Sequence, residues 1–395
     1  MKTKSLITKL YAFALFDDLI LIYPLYTLLF ADSHISPVKI SSLLAVWSFT
    51  AFLLEVPAGS IADKYPRRNV LLTGILLRAI GYTFWLFMHT YLGFLIGFIL
   101  WGIKSAFTSG TKEALVYDEL VKTDDVHLYT KVMGRMEALS LFAIVLAGIG
   151  ASLLARHGYT IILVFSILAV LVSAFVVFLL PKAKITKSAV ETKLTEYLRS
   201  GIKLAVKKPN VLFIIIFTSV MLGLGALDEY DSLFFRAKGL SNASVSIWLS
   251  IIVLFGIVGS LMAHRLEHIR LPIIPLVLLL SALLFLATLV PGVFAPLIIG
   301  VFALFFYFVK VLFNTYLQQS IEEKTRATVT SVAGMLAELV ALTTFAIVGL
   351  TAARGYIFSI KVLAGLLGLF GIILIPYYLY LKSRYGYVFQ KPAVE

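Results

Sequence analysis

The chain contains no cysteine, which excludes a disulfide framework and any thiolate metal site. Charge is scarce as well: 14% of its 395 residues are Asp, Glu, Lys or Arg, against about 25% in a soluble domain. With 60% hydrophobic residues and a mean hydropathy of +0.98, a soluble fold is excluded and the lipid bilayer is the expected surroundings. Acids are scarcer than bases, 21 against 34, for a net charge of +13. In a soluble protein that excess points to nucleic acid. Here its placement explains it, and no nucleic-acid partner is expected. A phosphate-cradling loop is also missing, since Ser109-Gly110-Thr111-Lys112 lacks the Gly-x-x-x-x-Gly-Lys spacing. His264, Glu267 and His268 spell H-x-x-E-H but lie at a membrane face without a third ligand. No catalytic residue, metal or cofactor is assigned, and an enzyme is not expected.

What is present is a series of apolar runs near the roughly 20 residues that a span needs. They fall at 8–30, 41–61, 70–89, 92–115, 132–155, 160–180, 211–235, 244–263, 272–291, 294–320, 330–353 and 357–381. The fold class expected is all-α integral membrane, twelve helices in two six-helix bundles with both termini cytoplasmic. The opening MKTKSLITKL has no small-residue cleavage site and reads as the start of the first span. On this threading 24 of the 34 Lys and Arg lie on one face, 5 on the other and 5 inside spans. Cytoplasmic loops carry such an excess.

Residues 1–180 and 211–395 form the two expected bundles, joined by a linker over 181–210. Leu194, Tyr197, Leu198, Ile202 and Leu204 are spaced as on an amphipathic helix for the anionic inner leaflet. The halves repeat: Gly59-Ser60-Ile61 returns as Gly259-Ser260-Leu261, Phe142-Ala143-Ile144-Val145 as Phe345-Ala346-Ile347-Val348, and Lys104 falls opposite Lys310. A duplicated bundle with a pocket near the bilayer midplane is a transporter architecture.

The most charged short connection, residues 55–68, reads EVPAGSIADKYPRR. Gly59 is expected to let two helix backbones approach, and Asp63 to accept from N–H groups at a helix start. Arg67 and Arg68 are expected to reach carboxylates, with Glu55 and Asp118 as candidates. Gly59, Asp63, Arg67 and Arg68 match the Gly-x-x-x-Asp-x-x-x-Arg-Lys/Arg signature between spans two and three of the major facilitator superfamily, which the chain resembles over its whole length. The EVPxGxxAD text and the SGTxEALxYD text at 109–118 are similar to a prokaryotic branch of it. The resemblance implies a conformational latch of Glu55, Gly59, Asp63, Arg67, Arg68 and Asp118, holding the outward-open state. It also implies the cytoplasmic (inner) membrane of a prokaryote, and a monomer is expected.

Charges at membrane depth cost a few kcal/mol or more, so each is a functional candidate. Asp17 and Asp18 lie in span one beside Pro24, which removes a backbone bond. Arg78 and Lys104 in spans three and four are able to neutralise them. Proton coupling and a fixed ion network both remain open for this group. Span ten carries Tyr307, Lys310, Asn314 and Gln318 at spacings of three and four, hence on one face. Span four carries Trp101, Lys104, Thr108 and Thr111 in the same way. Tyr23, Tyr26 and Trp47 are further candidate pocket walls. Span seven ends in Asp228, Glu229 and Asp231. Glu137 and Glu338 recur near Gly134 and Gly334 in spans five and eleven; with Glu229 they are candidate proton carriers.

The expectation is a secondary transporter for a small amphiphilic or anionic solute, coupled to protons and exporting. An uncoupled facilitator or a proton-coupled importer is the alternative. Because no native thiol competes, the topology has a direct check. Single substitutions Lys64→Cys and Lys112→Cys should react with a membrane-impermeant maleimide only from the cytoplasmic side, and Lys39→Cys and Arg156→Cys only from outside. The reverse pattern would overturn the threading.

Overall fold

A computed structural model describes residues 3–181, 209–266, 273–320 and 326–385. Among them there is no strand, and the helices are α1 (Thr3–Asp18), α2 (Tyr26–Asp32), α3 (Pro37–Lys64), α4 (Arg67–Phe87), α5 (Tyr91–Thr108), α6 (Thr111–Lys122), α7 (Tyr129–Leu154), α8 (Tyr159–Phe178), α9 (Pro209–Leu224), α10 (Asp231–Ala237), α11 (Asn242–Leu266), α12 (Ile273–Leu289), α13 (Ala295–Ser320), α14 (Arg326–Thr351) and α15 (Tyr356–Tyr385). Ten stretches among the described residues are long and apolar enough to cross a membrane, and α12 is a shorter apolar helix of 17 residues. The first expected span is divided between α1 and α2, with Pro24 in the break. The amphipathic helix expected in the linker lies outside the described residues.

Local chemistry sets several boundaries. Pro37 opens α3 at a position where a missing N–H costs nothing. Thr90 caps α5 by accepting from the Gly93 N–H at 3.3 Å. Gly110, at φ +69°, stops span four and restarts it as α6. Thr111 is therefore on α6 and not in one helical stripe with Trp101, Lys104 and Thr108.

The charged connection is much shorter than its sequence suggests. α3 continues through Lys64, so only Tyr65 and Pro66 link it to α4. α4 starts behind Pro66, which has no side-chain group to cap it. The Asp63 side chain is outside the described residues. Among the described residues nothing lies within 4 Å of a Cβ added at Gly59, so none of them makes the close helix approach expected there. The repeat-related Gly259 does make one, against the Leu304 carbonyl of α13.

The chain divides into two compact units, residues 1–190 with 241–250, and residues 191–240 with 251–395. In the first, α4 packs on α5 and α8, α3 on α5, and α1 on α7 and α8. Phe30, Trp85, Phe94 and Phe98 form a fully buried aromatic core, closed by a hydrogen bond from Trp85 Nε1 to the Phe94 carbonyl at 3.2 Å. In the second, α9 packs on α13 and α14, and α12 on α13 and α15. The Phe217 and Phe313 rings stack there at 3.9 Å.

A Cβ added at Gly81 would sit 2.9 Å from the Gly97 carbonyl oxygen, where α4 and α5 touch backbone to backbone. Gly81→Val should therefore cost about 1–3 kcal/mol, read as a lower unfolding midpoint in detergent, while Gly59→Ala leaves the midpoint in place. Equal midpoints for both variants would refute that packing.

Candidate functional site

The first unit builds its site where span one breaks. α1 ends at Asp18, leaving carbonyls with no helical partner. The Ile20 N–H turns back to the Asp18 carbonyl at 2.8 Å, and the Ile22 N–H donates to Ser166 Oγ of α8 at 3.0 Å. Arg78 of α4 donates from Nη2 to the Asp17 carbonyl at 2.9 Å and to Asp17 Oδ1 at 2.5 Å. Lys104 of α5 donates from Nζ to Asp17 Oδ2 at 2.9 Å. Ser173 Oγ adds a longer contact to Oδ1 at 3.4 Å. Asp17 is 6% exposed, Arg78 0% and Lys104 8%.

This arrangement follows from electrostatics. An isolated ion in a low-dielectric interior carries a penalty of several kcal/mol, which only a close opposite charge offsets. A cation also suits the negative end of α1. Both cations, not one of them, converge on Asp17. Asp18, one position on, points elsewhere: it is partly exposed, with Ser140 of α7 as its hydrogen-bonding neighbour. Arg78 Nε and Nη1, Tyr82 Oη and Trp47 Nε1 are buried without a hydrogen-bond partner among the described residues.

Aromatic rings border the cluster. Tyr23 stacks on Trp101 at 5.3 Å, and Trp47 lies 5.5 Å from Trp101. Tyr26, expected as a pocket wall, instead packs among Phe30, Trp85 and Phe98 and is 6% exposed, so it belongs to the core. Thr108 returns its hydroxyl to the Lys104 carbonyl at 2.9 Å, as mid-helix threonines do.

At the cytoplasmic end assigned by the threading, Arg67 pairs with Asp118 of α6. Among the described residues Arg68 does not meet a carboxylate; it donates to the carbonyls of Phe178 and Leu180, both at 3.2 Å, and so ties α4 to the end of α8. Glu55 is exposed and pairs with neither arginine. Its place on the outer face of α3, one turn before Gly59, accounts for that correction. Glu137 is exposed on α7.

The second unit repeats the break with different chemistry. Between α9 and α10 the backbone forms a 3-10 turn over Gly225–Tyr230. It carries Asp228 and Glu229, with Asp231 following. Lys310 of α13 lies within electrostatic reach of Asp228 without a salt bridge among the described residues, and its Nζ lies 5.2 Å from the Tyr307 ring centre. Tyr307, Lys310 and Gln318 are partly exposed and Asn314 exposed, while Phe306, Val309, Phe313 and Leu317 between them are buried. The span-ten stripe is thus one open face. Gln318 Nε2 donates to Thr330 Oγ1 at 3.1 Å. Glu338 is partly buried on α14.

The serines at the first break escaped the sequence reading. Ser166 and Ser173 are seven apart and share a face of an otherwise apolar α8, which is a signal the sequence carries. Tyr82 had none, being one of 19 tyrosines in an aromatic-rich chain. Among the described residues, no group of His, Asp and Glu side chains is placed to hold a metal ion.

A family model described as Major Facilitator Superfamily matches residues 10–345. No curated protein matches the chain. Among solved structures, the nucleoside transporter NupG superposes with a TM-score of 0.76 at 13% identity, covering 96% of this chain and 99% of that one. A bacterial homolog of the human lysosomal transporter Spinster, inward-facing and unoccupied, gives 0.70 at 13% identity over all of both chains. A D-xylose-proton symporter gives 0.66 at 14% identity, covering 94% and 96%. At these identities the likeness is one of fold.

The ion cluster makes an asymmetric prediction. Arg78→Leu strands half of the charge on Asp17 and should cost about 3–5 kcal/mol. Adding Asp17→Asn to it should recover part of that loss, seen as a rise in the unfolding midpoint of the double variant above Arg78→Leu alone. Additive losses would show that the two side chains are not coupled.

Proposed function

The chain belongs to the major facilitator superfamily, and from that premise we propose that it carries a small amphiphilic or anionic solute across the cytoplasmic membrane of a prokaryote by alternating access, coupled to protons and in the outward direction. That it is a multi-pass membrane transporter and not an enzyme follows from the family. The proposal adds twelve spans with both termini inside, two bundles over 1–180 and 211–395 joined by the 181–210 linker, and action as a monomer.

One observation carries the coupled reading: the adjacent carboxyls at the first break are treated differently. Asp17 commits both oxygens to Arg78 and Lys104. Asp18 has one hydroxyl neighbour and remains partly exposed, so it is the carboxyl open to taking and releasing a proton. Asp17 then acts as the brace that holds the break. The expectation of an anionic solute rested on two lysines; Lys104 gives its ammonium to Asp17, while Lys310 makes no salt bridge among the described residues. Lys310 thus remains the cation that supports the anionic description, which is kept beside the amphiphilic one. Export follows the resemblance to the prokaryotic branch. The latch is proposed in reduced form, as the Arg67–Asp118 pair with Arg68 tethering α8.

An uncoupled facilitator is the second reading, favoured by the full pairing of Asp17, which makes the ionic cluster a static support. Proteoliposomes loaded with a pH indicator separate the two, using a solute first identified by thermal shift across a panel of metabolites and drugs. Solute flux in the wild type should move protons. Asp18→Asn should retain solute exchange and move none, and Arg67→Ala should insert normally but transport more slowly. Solute flux without proton movement in the wild type would select the facilitator, and the direction of the driving gradient separates export from import.

A further inference from the structure

One helix is shared by the two compact units. Of α11, residues 242–250 are compact with the first unit and residues 251–266 with the second. The sequence changes character at that boundary. Before it, Asn242, Ser246 and Ser250 recur every four residues and so share one face. After it come Gly256 and Gly259.

The two stretches are held by different forces. In the first, Ser250 Oγ donates to the Val145 carbonyl of α7 at 3.1 Å, and a Cβ added at Gly148 of α7 would sit 2.8 Å from the Ser246 carbonyl oxygen. At the end that the threading places outside, Asn242 Nδ2 donates to Tyr159 Oη of α8 at 3.0 Å. Tyr159 Oη in turn donates to Asp32 Oδ2, in the last residue of α2. One phenol hydroxyl thus joins three helices. Asp32 is exposed and Asn242 half-buried, so water is at hand to replace both bonds of the hydroxyl. The second stretch has no such exchange available. A Cβ added at Gly259 would sit 2.0 Å from the Leu304 carbonyl oxygen of α13, and backbones packed that closely hold by contact. The outer stretch of α11 is therefore the one able to let go.

We propose that residues 242–250 are a detachable strap on the first unit, held closed in this structure by the Asp32–Tyr159–Asn242 clasp, and that its release opens the solute's path to the outside. The path rests on the transport reading, whereas the clasp stands on its own contacts. Tyr159 is then a positioning residue: it touches no solute and sets how long the strap stays down.

The absence of native cysteine makes the strap directly testable in the full chain. Ser246 is 0% exposed under the closed strap. Ser246→Cys should therefore react slowly with a membrane-impermeant maleimide, which attacks only an accessible thiol. Adding Tyr159→Phe, which keeps the ring and removes the hydroxyl, should raise that rate about fivefold, the worth of one hydrogen bond. Equal rates in the two backgrounds would overturn the clasp. Asp32→Cys combined with Asn242→Cys, joined by a short bifunctional methanethiosulfonate, pins the strap. In proteoliposomes the joined protein should stop carrying whichever panel compound gives the largest thermal shift. Dithiothreitol should restore the flux, which it would not do for a misfolded variant. Flux that persists through the link would overturn the gate and leave 242–250 as fixed packing. Should the wild type carry no compound of the panel, the transport reading fails, and the maleimide rates still decide the clasp.

Discussion

Three ions held out of water in one place organise the first unit. Asp17 meets Arg78 at 2.5 Å and Lys104 at 2.9 Å, and the arginine also takes the main-chain carbonyl of the same residue. Each partner comes from a different helix, so the cluster fixes α1, α4 and α5 to each other at the depth where α1 stops. Charge in hydrocarbon is tolerated only when paired or wet. Non-helical backbone at that depth is tolerated only inside protein or against a water-filled cavity. One set of contacts answers both demands, since the ions that need partners also satisfy the backbone that needs donors.

The second unit meets the same topological requirement with fewer resources. Its seventh span also breaks, but a 3-10 turn replaces the open segment and carboxylates replace the balanced pair. The repeat has thus preserved the place of the interruption and diverged in its backbone form and its charge. A duplicated chain with identical halves has no reason to place cation and solute chemistry differently in each; this one has divided acids and bases unequally between two similar scaffolds.

Much of this was readable in the residues and some was not. Spans were legible because hydrocarbon imposes length and apolarity on a local window, and each of the ten long stretches overlaps one expected run. Asp17, Arg78 and Lys104 stood out because charge is rare in such windows. Pairing was not legible: nothing along the chain says that Arg78 reaches Asp17 across 61 positions while Arg68 turns to carbonyls. The role of Gly59 was misread because a small residue permits an approach without compelling one; its counterpart Gly259 makes the contact. Tyr26 was misread for a similar reason, since an aromatic ring suits a core and a pocket wall equally well, and only the neighbours decide.

Gly110 has a consequence for how the two ends of the first unit communicate. It joins α5, which holds Lys104, to α6, which holds Asp118. Rotation about that one left-handed residue swings α6 as a lever while leaving the rod before it unturned. In the proposed latch, the rim contact with Arg67 would then open without disturbing the anchored centre, a division of labour that a continuous rod would forbid.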